Sequence, residues 1–216
     1  MALLIVATVG GGLYVDQSVP GIGQALVNLV AWSVFGLLLW RSAPAARRAL
    51  LTCLLYATLG EVFLSLVWGM YVYRLENIPL FVPPGHVLLF ALGIWIAARM
   101  PQAITWLIPA LAVPAVAWLA WQDADRHGPW LAAMFVACVL FGPAKRLYAV
   151  MFVLALAMEL YGTWLGNWTW APRDPWFGAS MTNPPLAAGA FYCALDLLVT
   201  TTCRRLDAAS REPAPA

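Results

Sequence analysis

The chain has 216 residues, of which 63% are hydrophobic and 10% are charged. A soluble domain normally carries about 25% charged residues, so this composition leaves too little polar surface to coat a water-soluble globule. It predicts an all-α polytopic membrane protein, embedded in the lipid bilayer. The formal net charge is only +2, and the sequence contains no basic run or zinc-ligand spacing. We therefore expect no nucleic-acid partner.

Eight apolar segments follow one another along the chain, at residues 2–15, 22–40, 50–72, 84–98, 104–121, 129–142, 147–166 and 185–203. A transmembrane helix needs about 20 apolar residues. Because the first segment is shorter than that, we expect seven or eight transmembrane helices, forming a single transmembrane domain over residues 1–203. The polar stretch 204–216 has almost nothing to bury and is predicted to be a disordered cytoplasmic tail.

The basic residues predict the orientation. Nine of the 12 fall on one side of the eight-helix arrangement: Arg41, Arg47, Arg48, Arg99, Lys145, Arg146, Arg204, Arg205 and Arg211. Cytoplasmic loops are enriched in Lys and Arg, so this side is predicted to be cytoplasmic. We expect a multi-pass protein of the inner (plasma) membrane with its C-terminus in the cytoplasm.

Three carboxylic acids lie inside the apolar segments, Glu61, Glu159 and Asp196. An ionisable group at bilayer depth costs about 2.5–3.5 kcal/mol on insertion scales and marks a functional site by default. No Lys or Arg lies at a comparable depth to neutralise these acids. They must therefore be protonated, share protons or face a wet cavity. His86 is a further titratable group near membrane depth.

Two of the acids begin the same pattern. Glu61 is followed by WGMYVYR and then Pro-Pro, and Glu159 by LGNWTWAPR and then Asn-Pro-Pro. In both cases the acid precedes Gly-x-aromatic-x-aromatic, and Pro-Pro opens the next helix. The shared order predicts two parallel four-helix repeats, residues 1–99 and 104–203. Their acid-bearing helices could face each other across a shared interior.

Simpler interpretations exist for these polar residues. A buried Glu can be a neutral group that hydrogen-bonds between helices. The segment DADRH at 123–127 is interpreted as an exposed mixed-charge turn, and we expect no bound metal. Four scattered cysteines are expected to be small buried hydrophobic groups rather than disulfides or ligands: Cys53, Cys138, Cys193 and Cys203.

The two halves together resemble a family of bacterial and archaeal membrane proteins of carotenoid biosynthesis, which includes the bisanhydrobacterioruberin-type hydratases. Its members show E…G-x-Y-x-Y…VP in the first half and G-x-W-x-W…(Y/W)FG-x-x-x-x-N in the second. The matching positions in this chain are Glu61, Gly69, Tyr71, Tyr73, Pro83, Gly166, Trp168, Trp170, Phe177, Gly178 and Asn183. A looser resemblance is to small integral-membrane lycopene and terpene cyclases, which also carry isolated acids within their spans.

The resemblance implies an enzyme that acts on a polyisoprenoid, a carotenoid or another lipid-phase alkene entering from the bilayer. A carboxylic acid would protonate a double bond, and aromatic π faces would stabilise the carbocation. Hydration, cyclisation or isomerisation would follow, a lyase or isomerase-cyclase activity that needs no cofactor. The catalytic candidates are Glu61, Glu159 and Asp196. The substrate-binding candidates are Trp68, Tyr71, Tyr73, His86, Trp164, Trp168, Trp170 and Asn183.

Two other functions fit the same sequence. Parallel repeats with acids near the bilayer midplane also suit a proton-coupled transporter of a lipid or small molecule. A non-catalytic membrane subunit would use the acids only to hold helices together, and conservative amide replacements would then matter little.

Overall fold

The computed structural model describes residues 1–209, and within that range the chain forms eight α-helices. They are α1 (Ala2–Ser18), α2 (Gly23–Arg41), α3 (Pro44–Glu61), α4 (Val82–Ala97), α5 (Gln102–Trp121), α6 (Gly128–Phe141), α7 (Lys145–Leu165) and α8 (Gly189–Ala209). The predicted all-helical fold class is confirmed. The sequence did not predict two short strands, β1 (Tyr71–Tyr73) and β2 (Trp168–Trp170), which pair with each other.

Four helical segments of the described chain are long and apolar enough to cross a membrane: Gly23–Arg41, Pro44–Trp68, Gln102–Trp121 and Lys145–Leu165. α1, α4 and α6 are apolar but shorter. α8 has a similar length to α7 but carries several charged residues, among them Asp196, Arg204 and Arg205.

α8 extends past the predicted end of the domain. Residues 204–209, which the sequence assigns to a disordered tail, form the end of α8 and continue its helix to Ala209. An ion pair between Arg48 on α3 and Asp207 attaches this end of the helix to the domain. The rest of the predicted tail, residues 210–216, lies outside the described part of the chain.

The third apolar segment does not stay helical to residue 72, as the sequence predicts. α3 begins at Pro44, where a proline fits the first helical turn because its missing N–H is not needed there. After Glu61 the helix widens into a π-helix, Val62–Trp68. Gly69 then ends it in the left-handed region (φ 75°), which glycine adopts without steric cost.

Four helices form the centre of the fold. α3 and α7 each pack against both α4 and α8, while the pairs α1–α2 and α5–α6 lie outside them. The largest buried cluster of hydrophobic side chains joins the four central helices; it includes Cys53, Val87, Phe90, Met151 and Val199. This arrangement places α3 and α7, the helices that carry Glu61 and Glu159, on either side of α4 and α8.

Candidate functional site

A cavity of about 370 Å³ lies among α1, α2, α3, α4, α7 and α8, next to the two strands. Its wall is mainly apolar, yet Glu61, Glu159 and His86 all contribute to it. Several aromatic side chains also line it. Those with a polar group near the two acids are Trp68, Tyr71, Tyr73, Trp168, Trp170 and Tyr192, of which only Tyr192 was not predicted. The structure therefore brings two of the three predicted acids into one space.

Glu61 is buried at the junction of α3 and the π-helix, with 5% of its surface exposed. One carboxyl oxygen, Oε2, accepts two hydrogen bonds, from the Tyr73 hydroxyl at 2.6 Å and the Tyr71 hydroxyl at 2.9 Å. Burial raises the pKa of both phenols well above the usual value, and the nearby Glu61 carboxyl, the second cause, raises it further. Both tyrosines therefore stay protonated and act as donors.

The second oxygen of Glu61 faces His86. Its Oε1 atom lies 3.3 Å from His86 Nε2, and His86 Nδ1 lies 3.0 Å from the carbonyl oxygen of Val82. A carbonyl can only accept a hydrogen bond, so Nδ1 carries a proton. The contact at Nε2 then requires one further proton, held either by Oε1 or by Nε2, because two lone pairs would repel each other. Glu61 and His86 therefore form a pair in contact through Oε1 and Nε2.

Glu159, on α7, is held by two tryptophan side chains, just as Glu61 is held by two tyrosines. Its Oε2 atom accepts hydrogen bonds from Trp168 Nε1 at 2.7 Å and from Trp170 Nε1 at 3.0 Å. Gly162, one helical turn later, leaves room for the Trp168 ring, because a Cβ at this position would overlap three atoms of the indole. An indole N–H can donate but cannot accept or pass on a proton. The donors at Glu159 differ in this respect from the phenols at Glu61.

The strand pair places these four aromatic rings together. β1 and β2 are antiparallel, with Tyr71 opposite Trp170 and Tyr73 opposite Trp168. Successive strand residues point to opposite faces, so the four rings share the buried face while the residues between them are exposed. Gly69 and Gly166, both in the left-handed region, turn the chain from each acid-bearing helix into its strand. The Gly-x-aromatic-x-aromatic spacing thus gives a helix end followed by two donors on one face.

The π-helix and Trp68 close one side of the cavity. Single π-helical turns are rare in proteins, and many of those that do occur lie at functional sites. Trp68, at its last position, donates its indole N–H to Asp174 Oδ1 at 3.2 Å, and its ring stacks on Trp176 at 4.7 Å between centroids. Asp174 Oδ1 also accepts the backbone N–H groups of residues 176 and 177. The loop after β2 therefore fixes the orientation of Trp68.

Three predicted site residues lie apart from the cavity wall. Asp196 is fully buried on α8, and neither of its carboxyl oxygens has a hydrogen-bond partner within residues 1–209. Trp164 is 78% exposed and stacks on Tyr161. Asn183 supports the site from behind, since its Oδ1 accepts the backbone N–H of Trp170 at 3.0 Å.

Tyr192 belongs to the site although the sequence analysis did not select it. Its ring stacks on His86 with the centroids 4.6 Å apart and the planes at 1°. It lies four residues before Asp196, on the same face of α8. An aromatic residue one helical turn from a membrane acid was the signal that could have identified it.

The sequence predicts that the loop before α6 is an exposed turn, but only part of this loop is exposed. Asp123 and Arg126 do lie at the surface and pair with each other, but Asp125 and His127 are buried. His127 Nδ1 lies 2.9 Å from Asp174 Oδ2, and burial lowers the pKa of His127 despite the nearby carboxylates. This buried pair connects the loop before α6 to the loop that holds Trp68.

Another buried polar group links α1 to the loops. Asp16 accepts a hydrogen bond from Asn167 Nδ2 at 2.8 Å and lies 3.5 Å from the guanidinium of Arg74. Arg74 also donates to the backbone carbonyl of Asp16 at 2.7 Å. Asn167 and Arg74 directly flank the two strands, so this group fastens the strand pair to the end of α1.

Among residues 1–209, no three His, Cys, Asp or Glu side chains are grouped so as to hold a metal ion, and all four cysteines are free. What the cavity offers chemically is a proton shared by Glu61 and His86, a second carboxyl group, and several aromatic faces in an apolar space. No family model, curated protein or solved structure matches this chain.

Proposed function

We propose that the protein is an integral-membrane enzyme that protonates a carbon–carbon double bond of an isoprenoid-like lipid, in the manner of the carotenoid hydratase-like family its motifs resemble. The observation that carries the proposal is that Glu61 and Glu159 line one mainly apolar cavity walled by aromatic rings. Buried acids in an apolar pocket are the groups that general-acid chemistry needs. The substrate would be a carotenoid or related polyene.

Glu61 is the proposed acid. The proton shared with His86 Nε2 moves from Oε1 to one carbon of the substrate double bond, whose electron pair forms the new C–H bond. The other carbon becomes a carbocation, and Glu61 is left as a carboxylate. The hydroxyl groups of Tyr71 and Tyr73 already donate to Oε2 and would stabilise that charge, since hydrogen bonds to ionised groups are the stronger ones.

The cation would lie among the tyrosine and tryptophan rings of the strand pair. A cation held against an aromatic face gains about 2 kcal/mol or more when it is desolvated. Glu159, fixed by two indole N–H groups, adds a second carboxyl group that can attract the cation or accept a proton from it. Addition of water followed by proton loss gives hydration, attack by an internal double bond followed by proton loss gives cyclisation, and proton loss from a neighbouring carbon gives isomerisation.

We further propose that all eight helices cross the inner membrane and form two parallel halves, residues 1–99 and 104–203. The matched arrangement of acid, left-handed glycine and paired aromatic donors in the two halves supports this division. With the basic-rich loops in the cytoplasm, α3 and α7 run outwards and the C-terminus is cytoplasmic.

Two observations fit the alternatives, one the transporter and the other the non-catalytic subunit. A shared proton on Glu61 and His86 could drive transport, and the two donors on each Glu carboxyl would also suit acids that only join structural elements. A transporter would give proton-gradient-dependent flux through intact vesicles without changing the substrate. A structural subunit would tolerate Glu61→Gln with no chemical consequence.

The test is product formation in D₂O. Membranes containing the protein are supplied with an acyclic carotenoid, and the products are analysed by chromatography and mass spectrometry. Each of the three outcomes leaves one C–D bond at the protonated carbon, so deuterium incorporation reports the first step whatever the product. We expect Glu61→Gln to abolish incorporation and Glu159→Gln to reduce it at least tenfold.

Glu76→Gln is the matched control, because Glu76 is an exposed acid in the turn after β1 and its replacement should leave activity unchanged. Size-exclusion profiles in detergent check that each variant is folded. If Glu61→Gln and Glu159→Gln both keep full activity, the mechanism is refuted.

A further inference from the structure

The contact between α3 and α8 is closed along one part of its length. The two helices run antiparallel, so rising residue numbers on α3 face falling numbers on α8. Arg48 pairs with Asp207, the Tyr56 hydroxyl and Thr202 Oγ1 are 2.9 Å apart, and Cys203 lies 4.0 Å from Thr52. These polar contacts hold the helices together from the start of α3 as far as Tyr56.

Beyond Tyr56 the same contact opens. The next residues that α3 and the π-helix direct toward the cavity include Gly60 and Phe63, and on α8 they include Leu195 and Leu198. Phe63 is 42% exposed and Leu198 is 51% exposed, although both line the cavity. Side chains that line the cavity and are also exposed mark the place where its wall is thinnest and meets the outer surface of the protein.

Gly60 lines the cavity beside this opening. A Cβ built on Gly60 would meet no other atom within 4 Å, so the space beside it is empty. Glu61 follows directly in the chain. On the α3 side the opening lies within Pro44–Trp68, a segment apolar enough to cross a membrane, so in a bilayer this side would meet lipid chains.

We infer that this gap between the π-helix end of α3 and α8 is a lateral portal, through which one end of a long isoprenoid chain enters the cavity while the remainder stays in the bilayer. The ligand class rests on the proposed function, whereas the portal rests on the geometry alone. Drug-sized ligands occupy pockets of about 300–1,000 Å³. A cavity of about 370 Å³ therefore holds an end group and not a whole carotenoid.

The portal predicts end-first binding. A linear chain entering beside Gly60 brings its terminal double bond to Glu61 first, before it reaches Glu159 on the far wall. Substrates blocked at both ends by bulky groups should not bind, and chain length beyond the end group should matter little.

The test uses a linear C20 isoprenoid with a diazirine at its terminal carbon, incorporated into phospholipid vesicles that contain the protein. After illumination, labelled peptides are identified by mass spectrometry. We expect labelling of cavity residues in the unmodified protein, and at least a tenfold loss of that labelling in Gly60→Trp. Leu198→Trp closes the gap from the opposite helix and should give the same loss.

Gly36→Trp is the matched control. Gly36 lies exposed on α2, away from the cavity, and a Cβ there also meets nothing within 4 Å. The cavity residues of Gly36→Trp should be labelled to the same extent as those of the unmodified protein. Gly60→Ala, which leaves most of the gap open, should also retain labelling.

The outcomes separate the portal from the proposed chemistry. Loss of labelling in Gly60→Trp and Leu198→Trp, with Gly36→Trp unaffected, supports the portal even if no variant ever turns over a substrate. Undiminished cavity labelling in folded Gly60→Trp and Leu198→Trp overturns it, even if Glu61→Gln abolishes catalysis. Labelling confined to the outer helix surfaces of the unmodified protein also overturns it.

Discussion

Gly162→Ala tests whether Glu159 is held by an aromatic ring that leaves no spare space. The added Cβ would overlap the six-membered part of the Trp168 indole. Trp168 is only 6% exposed, is paired through β2, and donates to Glu159 Oε2 at 2.7 Å. The ring cannot move outwards without giving up that hydrogen bond. We therefore expect this one methyl group to be destabilising.

The size of the effect follows from three terms. Overpacking a filled site costs about 1–3 kcal/mol, and the lost hydrogen bond about 0.5–1.5 kcal/mol. Alanine favours a helix over glycine by about 1 kcal/mol, which opposes both. Gly60→Ala shares that gain but meets no neighbouring atom, so it is the natural comparison. The difference in unfolding free energy between Gly162→Ala and Gly60→Ala should be about 3 kcal/mol.

The assay is thermal unfolding of the purified protein in detergent. For a chain of this size, 1 kcal/mol moves the midpoint by about 2–4 °C, so Gly162→Ala should unfold roughly 6–12 °C below Gly60→Ala. Trp168→Phe removes the ring atoms that the new methyl would meet, and in that background Gly162→Ala should cost much less. Equal midpoints for the two glycine variants, or strict additivity with Trp168→Phe, would refute the reasoning.

Two further predictions concern hydrogen bonds and pH. Tyr73→Phe removes only the hydroxyl that donates to Glu61 at 2.6 Å, so it should lower the unfolding free energy by about 1 kcal/mol; in a Glu61→Ala background, measured by the same melts, most of this cost should vanish. Burial lowers the pKa of His127 from the usual 6.5, so the unfolded chain takes up a proton near pH 6.5 that the folded chain does not, and stability falls as the pH drops below that value. Melts between pH 7.5 and 5.5 should show a smaller decline for His127→Gln than for the unmodified protein, and parallel declines would contradict this assignment.

Much of the fold could be predicted because the apolar segments are long and clearly separated. Each of the eight predicted segments overlaps one of the eight helices found in residues 1–209. Glu61 and Glu159 could be selected because an acid in an apolar run is conspicuous, and the glycine and aromatic positions after each acid could be matched by spacing. These are local signals, and local periodicity and composition are what a single sequence reports best.

The features that could not be predicted depend on contacts between distant parts of the chain. The pairing of Tyr71 with Trp170 joins residues almost a hundred positions apart, and three-residue strands carry no readable alternation. Asp196 looked equivalent to the other acids by depth, but it is fully buried on α8 and does not line the cavity. His127 looked like a surface residue because its neighbours are charged, whereas Asp174 covers it from another loop.

The local origin of each acid's hydrogen bonds has a consequence for biosynthesis. Glu61 receives its donors from 10 and 12 residues further along the chain, and Glu159 receives its donors from 9 and 11 residues further along. Each carboxyl group can therefore be satisfied as soon as the short segment that follows its helix leaves the ribosome, long before the cavity exists. The strand pair that joins the two segments can form only after the second of them has been made. Because each membrane acid has its donors within twelve residues, the two halves of the protein can be inserted one after the other. Neither acid has to wait for a partner helix to shield it.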